Sequence, residues 1–246
     1  MKTKKTLRIV LFFFTLLEGG WAFSQAPNQP GAGNCLSFNT TTQTVNVGQV
    51  NNIGNSSSSI FSTEQWVMFN NVNATQFVIS RYYGGPSSGI FGWYINMLTT
   101  GQIELHFNNS QIGNTSTIYT GIVANRWYHI ATTYNGTTGS LYIDGNLVGT
   151  CGNPGGGTNG NYVAIGSLSN TYCYNCGGSL YTINGQIDEV RIWNTALTQT
   201  QIRDNMCKKL VGNELGLVGY WRFDETTGNI AFDSQTNVAP NDGTGF

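Results

Sequence analysis

From about Cys35 onward the chain consists of short extended runs separated by clusters of Gly, Asn, Ser and Thr. The runs fall at residues 44–47, 64–70, 76–82, 92–98, 102–107, 127–134, 140–143, 162–165 and 186–193. They are rich in aromatic and β-branched side chains, which suit a pleated, half-buried surface. Around residues 140–149 the pattern tightens into a hairpin. Leu141 and Ile143 share a face, Asp144-Gly145 supplies a two-residue turn, and Leu147-Val148 begins the return strand. Many short strands with turn signals between them predict an all-β fold, a two-sheet antiparallel jelly-roll sandwich.

One short C-terminal helix breaks this pattern. Thr198 can cap it, and Gln201, three places on, completes a T-x-x-Q capping box. Leu197 and Ile202 stand at the positions of a hydrophobic staple, and Ile202 and Met206 share a face. The helix is expected to pack over an edge of the sheets and to close the first domain near Lys209. A further strand-like run follows, Gly216-Leu217-Val218-Gly219-Tyr220-Trp221-Arg222-Phe223. The roughly thirty-five residues after Lys209 are too few for a core of their own. They either lie against the first domain or begin a second module, and the second reading is slightly favoured.

The first residues stand apart. Lys2, Lys4, Lys5 and Arg8 precede an apolar run from Ile9 through Leu17, and a small-x-small site follows at Ala22-Phe23-Ser24. This order reads as a secretory signal peptide cleaved after Ser24. The run is shorter than the ~20 residues that span a bilayer, so no membrane span is expected after cleavage. The resulting division is a signal peptide over 1–24, a linker over 25–33, the jelly-roll domain over 34–210 and a C-terminal extension over 211–246.

Charge narrows the partners. Only 9% of the 246 residues are charged. Between Gln25 and Ile187 the charged side chains are Glu64, Arg81, Glu104, Arg126 and Asp144 alone. A nucleic-acid surface needs clustered Lys and Arg to neutralise phosphates, and two arginines do not make one. Nucleic acid is excluded as a natural partner.

Catalytic chemistry is equally thin. Glycoside hydrolysis needs two carboxylates about 5–9.5 Å apart across the scissile bond. Asp188 and Glu189 are adjacent, so on a regular strand they point to opposite faces. Glu64 and Glu104 are isolated in sequence, no serine-nucleophile signature is present, and neither His106 nor His129 is read as having an acid beside it. The chain is therefore expected not to be an enzyme. Five cysteines leave at least one thiol unpaired within the chain. Cys173-Tyr174-Asn175-Cys176 reads better as a loop staple than as a redox pair or half a zinc site, with Cys151 as a further disulfide candidate.

Ligand recognition is the remaining chemistry. Aromatic side chains give rigid contact area with a polar edge. Arg81, Tyr82 and Tyr83 end one predicted strand and Trp93 opens another, so the loop between them can set these side chains along one rim. Tyr172 and Tyr174 flank Cys173 on a second loop. For Trp66, Trp93 and Trp127 a core position is the competing reading.

Three segments taken together carry a resemblance. They are Asn125-Arg126-Trp127-Tyr128-His129-Ile130-Ala131-Thr132-Thr133-Tyr134-Asn135-Gly136, the hairpin Leu141-Tyr142-Ile143-Asp144-Gly145, and Gly185-Gln186-Ile187-Asp188-Glu189-Val190-Arg191-Ile192-Trp193-Asn194 leading into the capped helix. In this order they resemble the laminin G-like jelly roll of the concanavalin A-like lectin and glucanase superfamily, of bacterial exported type. Cys35-Leu36-Ser37-Phe38 is similar to its opening strand, and the likeness runs from about Asn34 to Lys209. The tail resembles a stretch that accompanies such modules in large exported bacterial surface proteins, which implies further modules of the same polypeptide.

The resemblance implies two antiparallel sheets of six or seven strands, one of them concave. It implies a secreted or cell-surface binding or adhesion module that takes glycans or extracellular proteins. The competing readings are a structural spacer with no ligand and an inactive hydrolase relative. Relatives similar in the last segment use the aspartate matching Asp188 for a structural calcium, completed by backbone carbonyls. An Asp bonded to backbone N–H groups at a turn explains the same residue equally well.

Overall fold

The computed structural model describes residues 33–39, 42–50, 53–54, 56, 58–81, 91–109, 113–153, 162–168 and 181–245. The strands are β1 Leu36–Phe38, β2 Val45–Asn46, β3 Phe61–Phe69, β4 Gln76–Arg81, β5 Phe91–Met97, β6 Gln102–Asn109 and β7 Gly113–Thr120. They continue with β8 Trp127–Tyr134, β9 Thr138–Ile143, β10 Asn146–Gly152, β11 Ala164–Ile165, β12 Gly185–Trp193 and β13 Leu217–Trp221. One helix, α1 Gln199–Met206, lies between β12 and β13. A seven-stranded sheet runs β1-β12-β3-β8-β9-β10 with β13 added to β12, and a six-stranded sheet runs β2-β11-β4-β5-β6-β7. All pairings are antiparallel. This is the expected two-sheet sandwich with one short helix.

Alternation explains the core. In β5 and β6, Trp93, Ile95, Met97, Ile103, Leu105 and Phe107 point between the sheets, and Tyr94, Asn96, Glu104 and His106 point away. The facing sheet contributes Phe61, Val67, Phe69, Ile130, Tyr134, Leu141 and Ile192. Phe61 and Phe107 each pack on Tyr134, with ring centroids 5.8 and 4.8 Å away, and Phe61 lies 5.0 Å from Trp93. Close approach of the two sheets near β7 and β10 depends on small residues. A Cβ on Gly149 would stand 2.1 Å from the Thr117 hydroxyl, and one on Gly139 would stand 2.2 Å from the Phe107 ring.

Local signals translate directly into structure. Asp144 (φ 49°) and Gly145 (φ 71°) form the turn joining β9 to β10. The Thr198 hydroxyl accepts from the Gln201 N–H, and the Gln201 side chain accepts from the Thr198 N–H, closing the capping box of α1. Leu197 and Ile202 are both buried, as a staple requires.

Two elements depart from the sequence reading. Strand β7 was not anticipated, because it is a polar edge strand whose apolar Ile118 faces outward. The tail does not stand off as the start of another module. Strand β13 pairs with the half of β12 beyond the stretch that β1 occupies, and Val218, Trp221 and Phe223 enter the common core. Asp233 then fixes the chain that follows, accepting from the N–H groups of Tyr220 (2.8 Å), Gln235 (3.2 Å) and Asn241 (3.0 Å).

Candidate functional site

The two outer faces of the sandwich have different fates. On the seven-stranded sheet, residues 195–210 lie across the outer side chains. The buried apolar cluster there comprises Ala131, Tyr142, Trp193, Leu197, Ile202, Leu210, Leu217 and Tyr220. Hydrogen bonds hold the cover down. Trp66 Nε1 donates to the Met206 carbonyl at 3.0 Å, Arg191 Nη1 to Asn205 at 2.9 Å, and Arg203 Nε and Gln199 Nε2 both to Gly145 at 2.9 Å.

Beneath this cover sits a polar cluster that no sequence signal announced. The Trp193 indole N–H donates to Glu64 Oε2 at 2.8 Å, and Glu64 Oε1 lies 3.7 Å from His129 Nε2. Burial pushes the Glu64 carboxyl up from 4.5 to about 7, against the opposing charge of Arg191. Burial, reinforced by Arg191, pushes His129 down from 6.5 to about 3, so the Glu64–His129 contact is not an ion pair at neutral pH. Arg191 completes the cluster with Glu189 at 2.7 Å, and the Tyr220 hydroxyl donates to the same Glu189 oxygen at 2.5 Å. The cluster is sealed from solvent, which makes it part of the scaffold.

The outer face of the six-stranded sheet carries a second polar cluster. Strand register aligns Ser80, Tyr94, His106 and Ser116 in one row across β4 to β7, and Phe77, Asn96, Glu104 and Ile118 in the next. Tyr94 and His106 stack with centroids 4.6 Å apart and planes within 5°, and Phe77 meets Tyr94 edge-on at 5.1 Å. Tyr181 extends the aromatic group 6.0 Å from Phe77. His106 Nδ1 is 3.2 Å from Glu104 Oε1. Burial raises the Glu104 carboxyl, but hydrogen bonding and charge from His106, with hydrogen bonds from Ser116 and Asn96, outweigh it and hold the group below 4.5. Both histidines thus have an acid beside them, which corrects the sequence reading. Glu104 is two residues from His106, on the same side of one strand, and Glu64 reaches His129 across a strand pair.

Several predicted site residues go elsewhere. Arg81 and Trp93 are direct cross-strand partners, and both point into the sandwich. Arg81 is fully buried with its guanidinium donating to the Ile53 carbonyl, and Trp93 is a core residue, so neither lines a rim. Strand parity gives the outer position to Tyr94. Tyr82, Tyr83, Tyr172, Tyr174, Cys173 and Cys176 lie outside the described residues. Cys151 carries a free thiol, buried in the core, with its pKa pushed up to about 11 chiefly by burial.

Counted back along a regular strand from Val190 and Ile192, Asp188 shares their core-facing parity. A β-bulge intervenes, since the register to β3 jumps from Asp188–Trp66 to Arg191–Glu64. The bulge turns Asp188 to the covered outer side and leaves Glu189 at φ 51°. Asp188 Oδ1 accepts the Glu189 N–H at 2.8 Å, the turn-stabilising bond that competed with calcium as its explanation. Among the described residues no group of three or more His, Cys, Asp or Glu side chains could hold a metal ion. Glu189, the adjacent acid, is engaged by Arg191 and Tyr220.

The two acids that sequence left unplaced end on opposite outsides of the sandwich, Glu64 on the seven-stranded sheet and Glu104 on the six-stranded one. They cannot flank one glycosidic bond. No helix among the described residues is long and apolar enough to cross a membrane.

Comparison with solved structures finds the same sandwich architecture in several proteins. A Bacteroides ovatus protein named for carbohydrate binding superposes with a TM-score of 0.57 at 18% identity over 83% of this chain, which spans 58% of that protein. The binding domain of botulinum neurotoxin serotype G gives 0.53 at 15% identity, covering 74% of this chain and 43% of that one. The CBM40 domain of a Ruminococcus gnavus IT-sialidase gives 0.50 at 12% identity, covering 62% and 85%. At these identities the likeness is one of fold. No curated protein matches the sequence. The laminin G profile described as the concanavalin A-like lectin/glucanases superfamily matches residues 39–203, well over half the chain. The chain belongs to the concanavalin A-like lectin/glucanase superfamily, in its laminin G-like branch.

Proposed function

We propose that this chain is an exported, non-catalytic carbohydrate-binding module, and that it binds through the outer face of the six-stranded sheet. The observation that carries the reading is the linked group Asn96, Glu104, His106 and Ser116, set among the rings of Phe77, Tyr94 and Tyr181. Sugar recognition calls for aromatic walls beside a few fixed polar groups. The contrast between faces supports this choice. The opposite sheet spends its polar groups on holding α1, whereas Ile118 and Tyr181 remain 48% and 41% exposed here. The names of the structural neighbours agree with a sugar ligand. A non-catalytic role is supported by the separation of Glu64 from Glu104, because the described part of this face has Glu104 as its one acid.

A glycan array followed by calorimetry tests the reading. The intact chain should bind at least one glycan class. Tyr181→Ala and His106→Ala should each weaken that binding about tenfold or more, as loss of a central contact does. Leu215→Ala, at an exposed position before β13 in the other sheet, should leave it unchanged. Absence of binding on the array, or binding indifferent to both site substitutions, would favour the spacer reading.

A further inference from the structure

The two open sides of the sandwich are finished differently. On one side the tail stitches the sheets together. Thr244 exchanges backbone hydrogen bonds with Asn46 of β2 (2.9 and 3.0 Å), Gly243 does so with Ala231 (2.7 and 3.0 Å), and Asp233 bridges to Trp221 of β13. On the other side β10 lies over β7, so closely that a Cβ on Gly149 would meet Thr117. Among the described residues β7 pairs with β6 alone, so its far edge presents backbone N–H and C=O groups outward. Natural sheets blunt such edges by shortness, charge, proline or a bulge. β1 is three residues long, and β10 is bulged between Leu147 and Gly149. β7 uses none of these devices. It runs eight residues in unbroken register with β6 and reads Gly-Asn-Thr-Ser-Thr-Ile-Tyr-Thr, without charge or proline.

We infer that β7 is a self-association edge: two copies of this chain pair antiparallel along β7 and join their six-stranded sheets into one. The strand's own chemistry selects a second copy as the occupant. A two-fold axis through Thr117 sets Thr117 of one copy opposite Thr117 of the other, Thr115 opposite Tyr119, and Ser116 opposite Ile118. Each pair then shares a face of the sheet, and none brings like charges together. The whole chain has a formal net charge of −1, so little long-range repulsion holds copies apart. Ile118, an apolar side chain 48% exposed on a polar strand, gains a neighbour across the seam. Eight paired residues make a seam about 27 Å long, and the two stacked sheets make it about 10 Å deep. Contacts of that size belong to the low end of specific interfaces, so the dimer is a reversible one. This inference goes beyond the glycan reading and does not depend on it. Where both hold, the two outer faces lie on one side of the joined sheet and engage a multivalent surface together.

Sedimentation equilibrium of the chain over a concentration series tests the inference. The average mass should rise with concentration from that of one chain towards that of two, and a monomer at every concentration would overturn the proposal. Ser116 and Ile118 are both exposed on the outer face, so charged side chains fit there without entering the core. Ser116→Lys combined with Ile118→Lys sets lysine opposite lysine at both crossings, and should weaken the dimer about tenfold or more. Ser116→Lys combined with Ile118→Glu sets lysine opposite glutamate instead, and should bring the dimer back to the parent's strength or beyond. Circular dichroism checks that each variant keeps the fold, and Ile118→Lys alone should weaken the dimer in the same direction. Association unmoved by the paired lysines would place the contact away from β7 and overturn the assignment. A folded lysine–glutamate variant that stays monomeric would overturn the two-fold register through Thr117.

Discussion

Replacing Glu64 by glutamine should stabilise this protein at neutral and alkaline pH. The side chain is sealed under residues 195–210, and its carboxyl is raised from 4.5 to about 7 in the folded state. Because the folded form holds the proton more tightly than the unfolded form, Glu64 costs nothing below about pH 4.5. Its contribution becomes unfavourable as pH climbs through 7. The difference corresponds to about 3 kcal/mol at full ionisation. Glutamine keeps the shape and the acceptor for the Trp193 indole but has no proton to lose. The stability difference between Glu64→Gln and the parent should therefore be near zero at pH 4.5 and approach about 3 kcal/mol above pH 8.

Only the difference isolates the effect, because His129 acts in the opposite sense. Its folded pKa is depressed from 6.5 to about 3, so its contribution is present above pH 6.5 and is lost as pH falls. Urea unfolding of both proteins, followed by tryptophan fluorescence at several pH values, measures the difference directly. A profile flat in pH, or a glutamine variant less stable than the parent at pH 8, would refute the account. It would mean that attraction to Arg191 outweighs desolvation at this site.

Other perturbations probe the cover and the tail. Ile202→Ala removes the fully buried side chain of α1 and should cost about 2–4 kcal/mol in the same unfolding assay. Asp233→Ala leaves the N–H groups of Tyr220, Gln235 and Asn241 without their acceptor, and should cost about 3 kcal/mol or more, read as a lower urea midpoint. Asp188 Oδ1 accepts the Glu189 amide N–H, a bond that explains the residue without a metal. The expected result is an equal melting temperature in calcium and in chelator, and a clear rise with calcium would support the metal reading instead.

Local chemistry was legible in the residues themselves. Asp144-Gly145 had to turn, because two successive residues there adopt positive φ. Thr198 and Gln201 had to start a helix, because each satisfies a backbone N–H that the first turn leaves open. Most strands showed through their alternation. β7 did not, since an edge strand facing solvent needs no apolar stripe. Strand parity also fails at a bulge, so alternation alone does not set the side that Asp188 takes.

The sequence by itself determined an all-β sandwich, its hairpin turn, its capped helix and the scarcity of charge that excludes nucleic acid. Tertiary structure alone decided which outer face is covered. That choice depends on where residues 195–210 come to rest, a contact between segments distant along the chain that no local period records. It sealed Glu64 and His129 under α1, drew Arg81 and Trp93 into the core, and joined β13 to β12. It also left Asn96, Glu104 and His106 together on the other side, because cross-strand register, unlike spacing in sequence, sets which polar groups meet.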